Sequence, residues 1–305
     1  MMPADAIPFE AALAMRAQEV ERLLQALLSA SLQTGEIARP ERLMAAMRHG
    51  VFNGGKRLRP FLVLESAALF EADRESAMLV AAALECVHCY SLIHDDLPAM
   101  DDDDLRRGQP TVHRAFDEAT AILAGDSLLT LAFGILAGPD LAVAPGRKVE
   151  LVLSLARAAG AGGMAGGQAL DLDAERSAPD EAGIIRLQAM KTGALIRFAC
   201  EAGPILAGAP SADRERLGEF GAGVGLAFQL ADDLLDVTAN AAIMGKATGK
   251  DDAAGKATLV ALHGVDWARR QLDGLIAQAH DLLEPYGDRA VMLKAAARFV
   301  ATRPN

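Results

Sequence analysis

Apolar residues recur along this chain at spacings of three and four, and no stretch alternates convincingly with a period of two. That periodicity predicts helices over roughly 8–33, 40–52, 57–71, 76–97, 114–137, 146–164, 180–200, 212–238, 257–283 and 288–302. Between them lie turn-forming stretches: "TGE", "NGG", "FEAD", "AGP", "SAPD", "AGAPSAD" and "EPYGD". Many of these helices are apolar around most of their circumference. Such helices must be buried on several sides, so the pattern predicts one large all-α bundle.

Composition agrees with the pattern. The chain has 305 residues, and 51% are hydrophobic, enough for a large core. That length allows two domains, but no linker, repeat or low-complexity segment divides it, so residues 1–305 are expected to form a single domain. Alanine and leucine dominate and aromatics make up 4%, which favours helices over strands. A net charge of −11 argues against a nucleic-acid partner, because a phosphate backbone is gripped by clustered cations. The first twenty residues carry acids early and lack a basic segment followed by an apolar one, so no signal peptide is expected. The most apolar run, 77–93, is interrupted by Glu85 and His88 and reads as a buried helix, not a membrane span. A cytoplasmic location follows as the expectation. Of three cysteines, Cys86 and Cys89 have CxxC spacing, but inside a predicted helix with no second pair; they read as small core residues.

Charge along the chain changes this bland picture in two places. The stretch "LIHDDLPAMDDDDLRRG", residues 92–108, sets six aspartates within ten residues after an apolar helix. On a helical wheel His88, Leu92 and Asp95 share a stripe, with Asp96 beside it, and Pro98 should end the helix and turn Asp101 back toward Asp95. In "GLAFQLADDLLDV", residues 225–237, Gln229, Asp232, Asp233 and Asp236 fall at i, i+3, i+4 and i+7, the face that core leucines normally hold. Three carboxylates between apolar flanks need compensating charge. Hard divalent cations supply it, and Mg²⁺ keeps coordination positions for water and substrate phosphate. Two such clusters suit several Mg²⁺ ions around a polyphosphate. Cations for that anion are at hand: Lys56, Arg57 and Arg59 in "NGGKRLRP", Arg106 and Arg107, Lys191 in "MKTGA", and Lys246, Lys250 and Lys256. The nucleotide-loop motifs fail: "GAGGMAGGQ" lacks the following Lys-Ser/Thr, and "GAGVGLA" follows no strand.

From about residue 40 to the end, "GGKRLRP", "ECVHCYSLIHDDLPAMDDDDLRRGQPTVH", "GGQALDLDAE", "KTGALI" and "FQLADDLLDV" follow one another in the order of the trans-prenyl (all-E) diphosphate synthases, which this chain resembles. The resemblance implies an all-α fold around a deep central cavity, a homodimer, and three Mg²⁺ ions. It implies Asp95, Asp96 and Asp101 as one metal site and Asp232, Asp233 and Asp236 as the other. Arg106, Lys191 and Lys246 would hold an allylic diphosphate. Lys56, Arg59, His88 and Arg107 would hold isopentenyl diphosphate, with Gly55 allowing backbone approach, and Thr192 and Gln229 would lie near the reacting carbons. Tyr90 and Ser91, just before the first acid motif, would form the wall that limits the growing tail. A bulky aromatic there implies a farnesyl product. Two departures stand out: Ala239-Asn240 where the family often has Gly-Asp, and Leu259-Val260 where an aromatic-Pro pair is common. A longer-chain synthase shares every catalytic motif and is the rival reading. A non-catalytic subunit usually lacks one acid cluster, and both are intact here.

Overall fold

The computed structural model describes residues 7–174, 176–244 and 258–302. The chain divides into two compact units, Met1–Val152 and Leu153–Asn305. Both are helical, as the periodicity predicts. The strands among the described residues are two short ones, β1 (Leu105–Arg106) and β2 (Gln109–Pro110), paired antiparallel.

The first unit contains α1 (Phe9–Leu27), α2 (Glu41–Val51), α3 (Leu58–Leu69), α4 (Arg74–Asp95), the short α5 (Val112–Ala115) and α6 (Glu118–Ala137). At its centre α4 packs against α3 and α6. Asp73 caps α4 by accepting from the Ser76 amide, and the helix then buries Val80, Leu84, Cys86, Val87 and Cys89. Burial on several sides is why its sequence shows no clean polar face. Gly50 lets α2 close on it: a Cβ there would stand 2.4 Å from Ile93 Cδ1. Asp117 caps α6 and pairs with Arg42, whose hydrogen bond, with those from Thr120, holds its carboxyl at about 2. The cysteines are free and buried, and burial pushes the Cys89 thiol up to about 12, so they are packing residues.

The division falls within α7 (Pro145–Ala159), whose last residues, from Leu153, open the second unit. It comprises α8 (Met164–Ala174), α9 (Glu181–Gln188), a π-helical turn (Ala189–Gly193), α10 (Ala194–Ala207), α11 (Ser211–Met244), α12 (Leu259–His263), α13 (Val265–Leu282), a 3₁₀ segment (Glu284–Ala290) and α14 (Val291–Thr302). The long α11 packs on α10, α13, α14 and the π turn. Its crossing with the turn is close because Gly225 meets Gly193; a Cβ on Gly225 would lie 2.8 Å from the Gly193 Cα.

Several boundaries differ from the periodicity. The helix expected over 146–164 ends at Ala159, and the glycine-rich stretch after it forms α8. The expected helix 180–200 contains the π turn. The one over 257–283 breaks at Gly264, whose φ of +84° suits glycine alone.

Candidate active site

The first acidic segment is a turn built on the end of α4. Helix geometry stops at Asp95, the Asp96 amide still donates to the Leu92 carbonyl (3.1 Å), and the Asp101 amide donates back to the Asp95 carbonyl (2.8 Å). Asp95, Asp96 and Asp101 are thereby carried on one compact loop. Asp95 is half-buried and Asp101 exposed. Asp96 is 3% exposed and accepts from Arg106 Nε at 2.6 Å. Burial raises its pKa, and the Arg106 hydrogen bond and charge oppose that.

Arg106 reaches Asp96 because β1 and β2 form a hairpin whose two-residue tip is Arg107 (φ +54°) and Gly108 (φ +76°). Two positive φ values are what a tight hairpin turn requires. Thr111 anchors its base, its amide donating to the Asp104 carbonyl (3.0 Å) and its hydroxyl to the Asp103 carbonyl (2.8 Å). Arg107 donates to the Gly54 carbonyl and lies 3.4 Å from Asn53 Oδ1. Gly55 (φ +117°) makes room: a Cβ there would stand 2.4 Å from Arg107 Nη1.

Around this point the first unit gathers cations. Arg59 Nη1 lies 3.4 Å from His88 Nε2. Burial, then the charges of Arg59, Arg107, Arg57 and Arg106, hold the His88 ring well below the usual imidazole value, so it is neutral. Lys56 is exposed beside them. Arg57, by contrast, is buried and faces inward onto Glu85 and Glu21. Tyr90 is half-buried with its ring edge-on to His94 (5.7 Å between centroids), and Ser91 Oγ donates to the His88 carbonyl (2.8 Å).

In the second unit α11 presents Gln229, Asp232, Asp233 and Asp236. Asp233 is 6% exposed and accepts from both Gln188 Nε2 (2.9 Å) and Gln229 Nε2 (3.0 Å). Burial raises its pKa; the two amides oppose this, while Asp232 and Asp236 add to it. Thr192 Oγ1 donates to Gln229 Oε1 (3.2 Å), so a chain runs Thr192–Gln229–Asp233–Gln188. Asp232 is half-buried and Asp236 exposed. Lys191, on the π turn, pairs with Asp171 of α8. Gly167 lets the two elements touch, since a Cβ there would meet the Lys191 amide nitrogen at 2.2 Å. Lys246 lies outside the described residues.

Asp171 and Gln188 are site neighbours that the sequence reading did not single out. Asp171 stands in "GGQALDLDAE", and Gln188 lies three residues before Lys191. Among the described residues, no three acid, histidine or cysteine side chains converge as a ready-made metal cluster. The donors on each segment are nonetheless carboxylate oxygens, the hard set that suits Mg²⁺, and Asp96 and Asp233 are acids whose ionisation a cation would favour.

Comparison with known proteins decides the family. The profile described as polyprenyl synthetase matches residues 40–286. The chain belongs to the polyprenyl synthetase family. This polyprenyl synthetase is 45% identical to the farnesyl diphosphate synthase of Escherichia coli (strain K12), over 86% of this chain and 89% of that one. It is 41% identical to geranylgeranyl pyrophosphate synthase 11, chloroplastic, of Arabidopsis thaliana, over 87% of this chain and 76% of that one. Its fold matches the apo crystal structure of an FPP/GFPP synthase from Zymomonas mobilis at a TM-score of 0.86 and 44% identity, covering 96% and 99% of the two chains.

Proposed function

We propose that this polyprenyl synthetase joins isopentenyl diphosphate to dimethylallyl or geranyl diphosphate in the trans configuration, giving mainly farnesyl diphosphate. The observation that carries this reading is the pairing of each acidic helix segment with its own basic or amide set. Asp96, on the loop that also carries Asp95 and Asp101, pairs with Arg106, and Asp233 accepts from Gln188 and from Gln229, which is in turn bonded by Thr192. The family match contains both segments.

On this reading Asp95, Asp96 and Asp101, and separately Asp232, Asp233 and Asp236, hold Mg²⁺, with three ions by family resemblance. Bound Mg²⁺ neutralises charge on the departing diphosphate. Arg106, Lys191 and Lys246 hold the allylic diphosphate. Lys56, Arg59, Arg107 and the neutral His88 hold the diphosphate of isopentenyl diphosphate, and Gly55 leaves the backbone open to it. Thr192 and Gln229 turn oxygens toward an allylic cation. The Gln229 amide nitrogen is committed to Asp233, which fixes its oxygen on the Thr192 side. The double bond of isopentenyl diphosphate then attacks, and the proton is lost to the released diphosphate. Apolar walls such as α4 keep water from the cation.

Tyr90 is the proposed wall for the growing tail. Burial, then the charge of Asp95, raises its phenol, so it stays neutral. Chromatography of dephosphorylated products tests both assignments. Wild type should release mainly the fifteen-carbon alcohol, and Tyr90→Ala should shift product to twenty carbons or more. A twenty-carbon wild-type product would favour the geranylgeranyl rival, and an unchanged product in an active Tyr90→Ala enzyme removes Tyr90 from the wall. A cytoplasmic homodimer acting as one domain completes the proposal.

A further inference from the structure

The middle cation of "GGKRLRP" does not face the same way as its neighbours. Lys56 is exposed and Arg59 lies against His88, but Arg57 between them is 4% exposed. It stands just before α3 with φ +51°, a left-handed conformation that residues with a side chain rarely adopt. Four hydrogen bonds hold it there. Its Nη1 donates to Glu85 Oε1 (2.6 Å), and Nη2 donates to the Val51 carbonyl (2.6 Å) and Glu21 Oε1 (3.1 Å). Nε also reaches Glu21 Oε1 (3.2 Å). One guanidinium therefore ties together α1, the end of α2, the start of α3 and α4. A lysine, a point charge on a flexible stem, cannot make that set of contacts.

Glu85 depends on this pair. It is 2% exposed, and its Oε2 has no hydrogen-bond partner among the described residues. A buried carboxylate with one counterion is costly to leave alone. Glu85 also precedes His88 by three positions on α4, so the two share a face one turn apart. The ion pair thus links the backbone that carries Lys56 and Arg59 to the helix turn that carries His88.

We propose that Arg57 is a positioning residue for the isopentenyl diphosphate site: through Glu85, Glu21 and the Val51 carbonyl it fixes the left-handed turn that aims Lys56 and Arg59 and sets their register against His88. This rests on the function proposed above. Arg57 does not itself meet substrate, because its donors face the interior.

The test is steady-state kinetics on the full chain, varying isopentenyl diphosphate and geranyl diphosphate in turn, with thermal melts as a fold check. Arg57→Lys keeps the charge and loses the fork. It should raise KM for isopentenyl diphosphate about ten- to a hundredfold, the scale of a misplaced binding group, with KM for geranyl diphosphate within about twofold. Glu21→Gln removes only the half-exposed carboxylate and should move KM in the same direction by less. If Arg57→Lys does not fold, Glu21→Gln decides alone. A folded variant with an unmoved KM for isopentenyl diphosphate, or with both KM values raised equally, overturns the proposal and leaves the proposed function standing. Absence of prenyl product from the wild-type chain overturns both.

Discussion

Asp233 shows at the scale of one residue why this chemistry needs a cation. Its carboxylate is almost fully buried and has two amide donors, yet burial still raises its pKa. Hydrogen bonds from neutral amides do not replace a missing positive charge. Its neighbours Asp232 and Asp236, and Asp95 and Asp101 on α4 and its turn, are the carboxylates proposed above to share such cations. Asp95→Ala or Asp232→Ala should lower kcat about 10³-fold, the scale of losing one charge-stabilising group, and excess EDTA should abolish turnover. Full activity in EDTA would defeat the metal assignment. His88 allows a different check. Its folded pKa lies below the unfolded value of about 6.5, so the folded chain binds fewer protons than the unfolded one. Its contribution to stability is complete above that value and is lost progressively as pH falls from there down through the folded pKa. His88→Gln should therefore flatten the fall in Tm between about pH 7.5 and about pH 5.5. Parallel Tm curves for the two proteins would show that the ring is solvated like any surface histidine.

At the scale of elements, the sequence announced what periodicity can announce. The stripe of Gln229, Asp232, Asp233 and Asp236 is on α11, and the Asp95–Asp101 turn forms where Pro98 required one. Elements whose signal is not periodic were missed. α8 contains the pair Gly166-Gly167, so propensity argues against it, and both glycines sit in close contacts: Gly166 against the Ala161 carbonyl and Met190, Gly167 against Lys191 of the π turn. A π turn has no sequence period of its own. The Arg107-Gly108 hairpin is too short to show alternation. The inward turn of Arg57 was illegible because its partners, Glu21 and Glu85, are distant in sequence. The α8 contact makes a sharp prediction. In Gly167→Ala the new methyl would meet backbone, not a flexible side chain, so either α8 or the π turn must move. Overpacking of this kind costs about 1–3 kcal/mol. Denaturant titration should show that loss, and kcat should fall with it as Lys191 is displaced. Unchanged stability and rate would mean that the contact has slack.

At the scale of the whole molecule, the open question is what covers α6. By length and composition both α4 and α6 could cross a bilayer, but α4 buries 72% of its apolar window inside the protein and α6 only 39%. The buried side of α6, with Ala121, Ala124, Leu128 and Ala132, faces the core of the first unit. On its other side Ile122 is 44% and Leu123 is 55% exposed. Two adjacent exposed aliphatic residues on a helix this apolar are costly to leave in water, whereas a second copy of the chain would cover them symmetrically. A net charge of −11 keeps the rest of the surface soluble and makes indiscriminate association unfavourable. We propose that the interface of this homodimer includes the exposed face of α6. Ile122→Lys combined with Leu123→Asp should leave the fold of each chain intact, because both side chains point away from the core. Sedimentation should find wild type at twice the chain mass and the double variant at the chain mass. A wild type that sediments as a monomer at micromolar concentration would rule the dimer out. A double variant that remains dimeric would move the interface to another face.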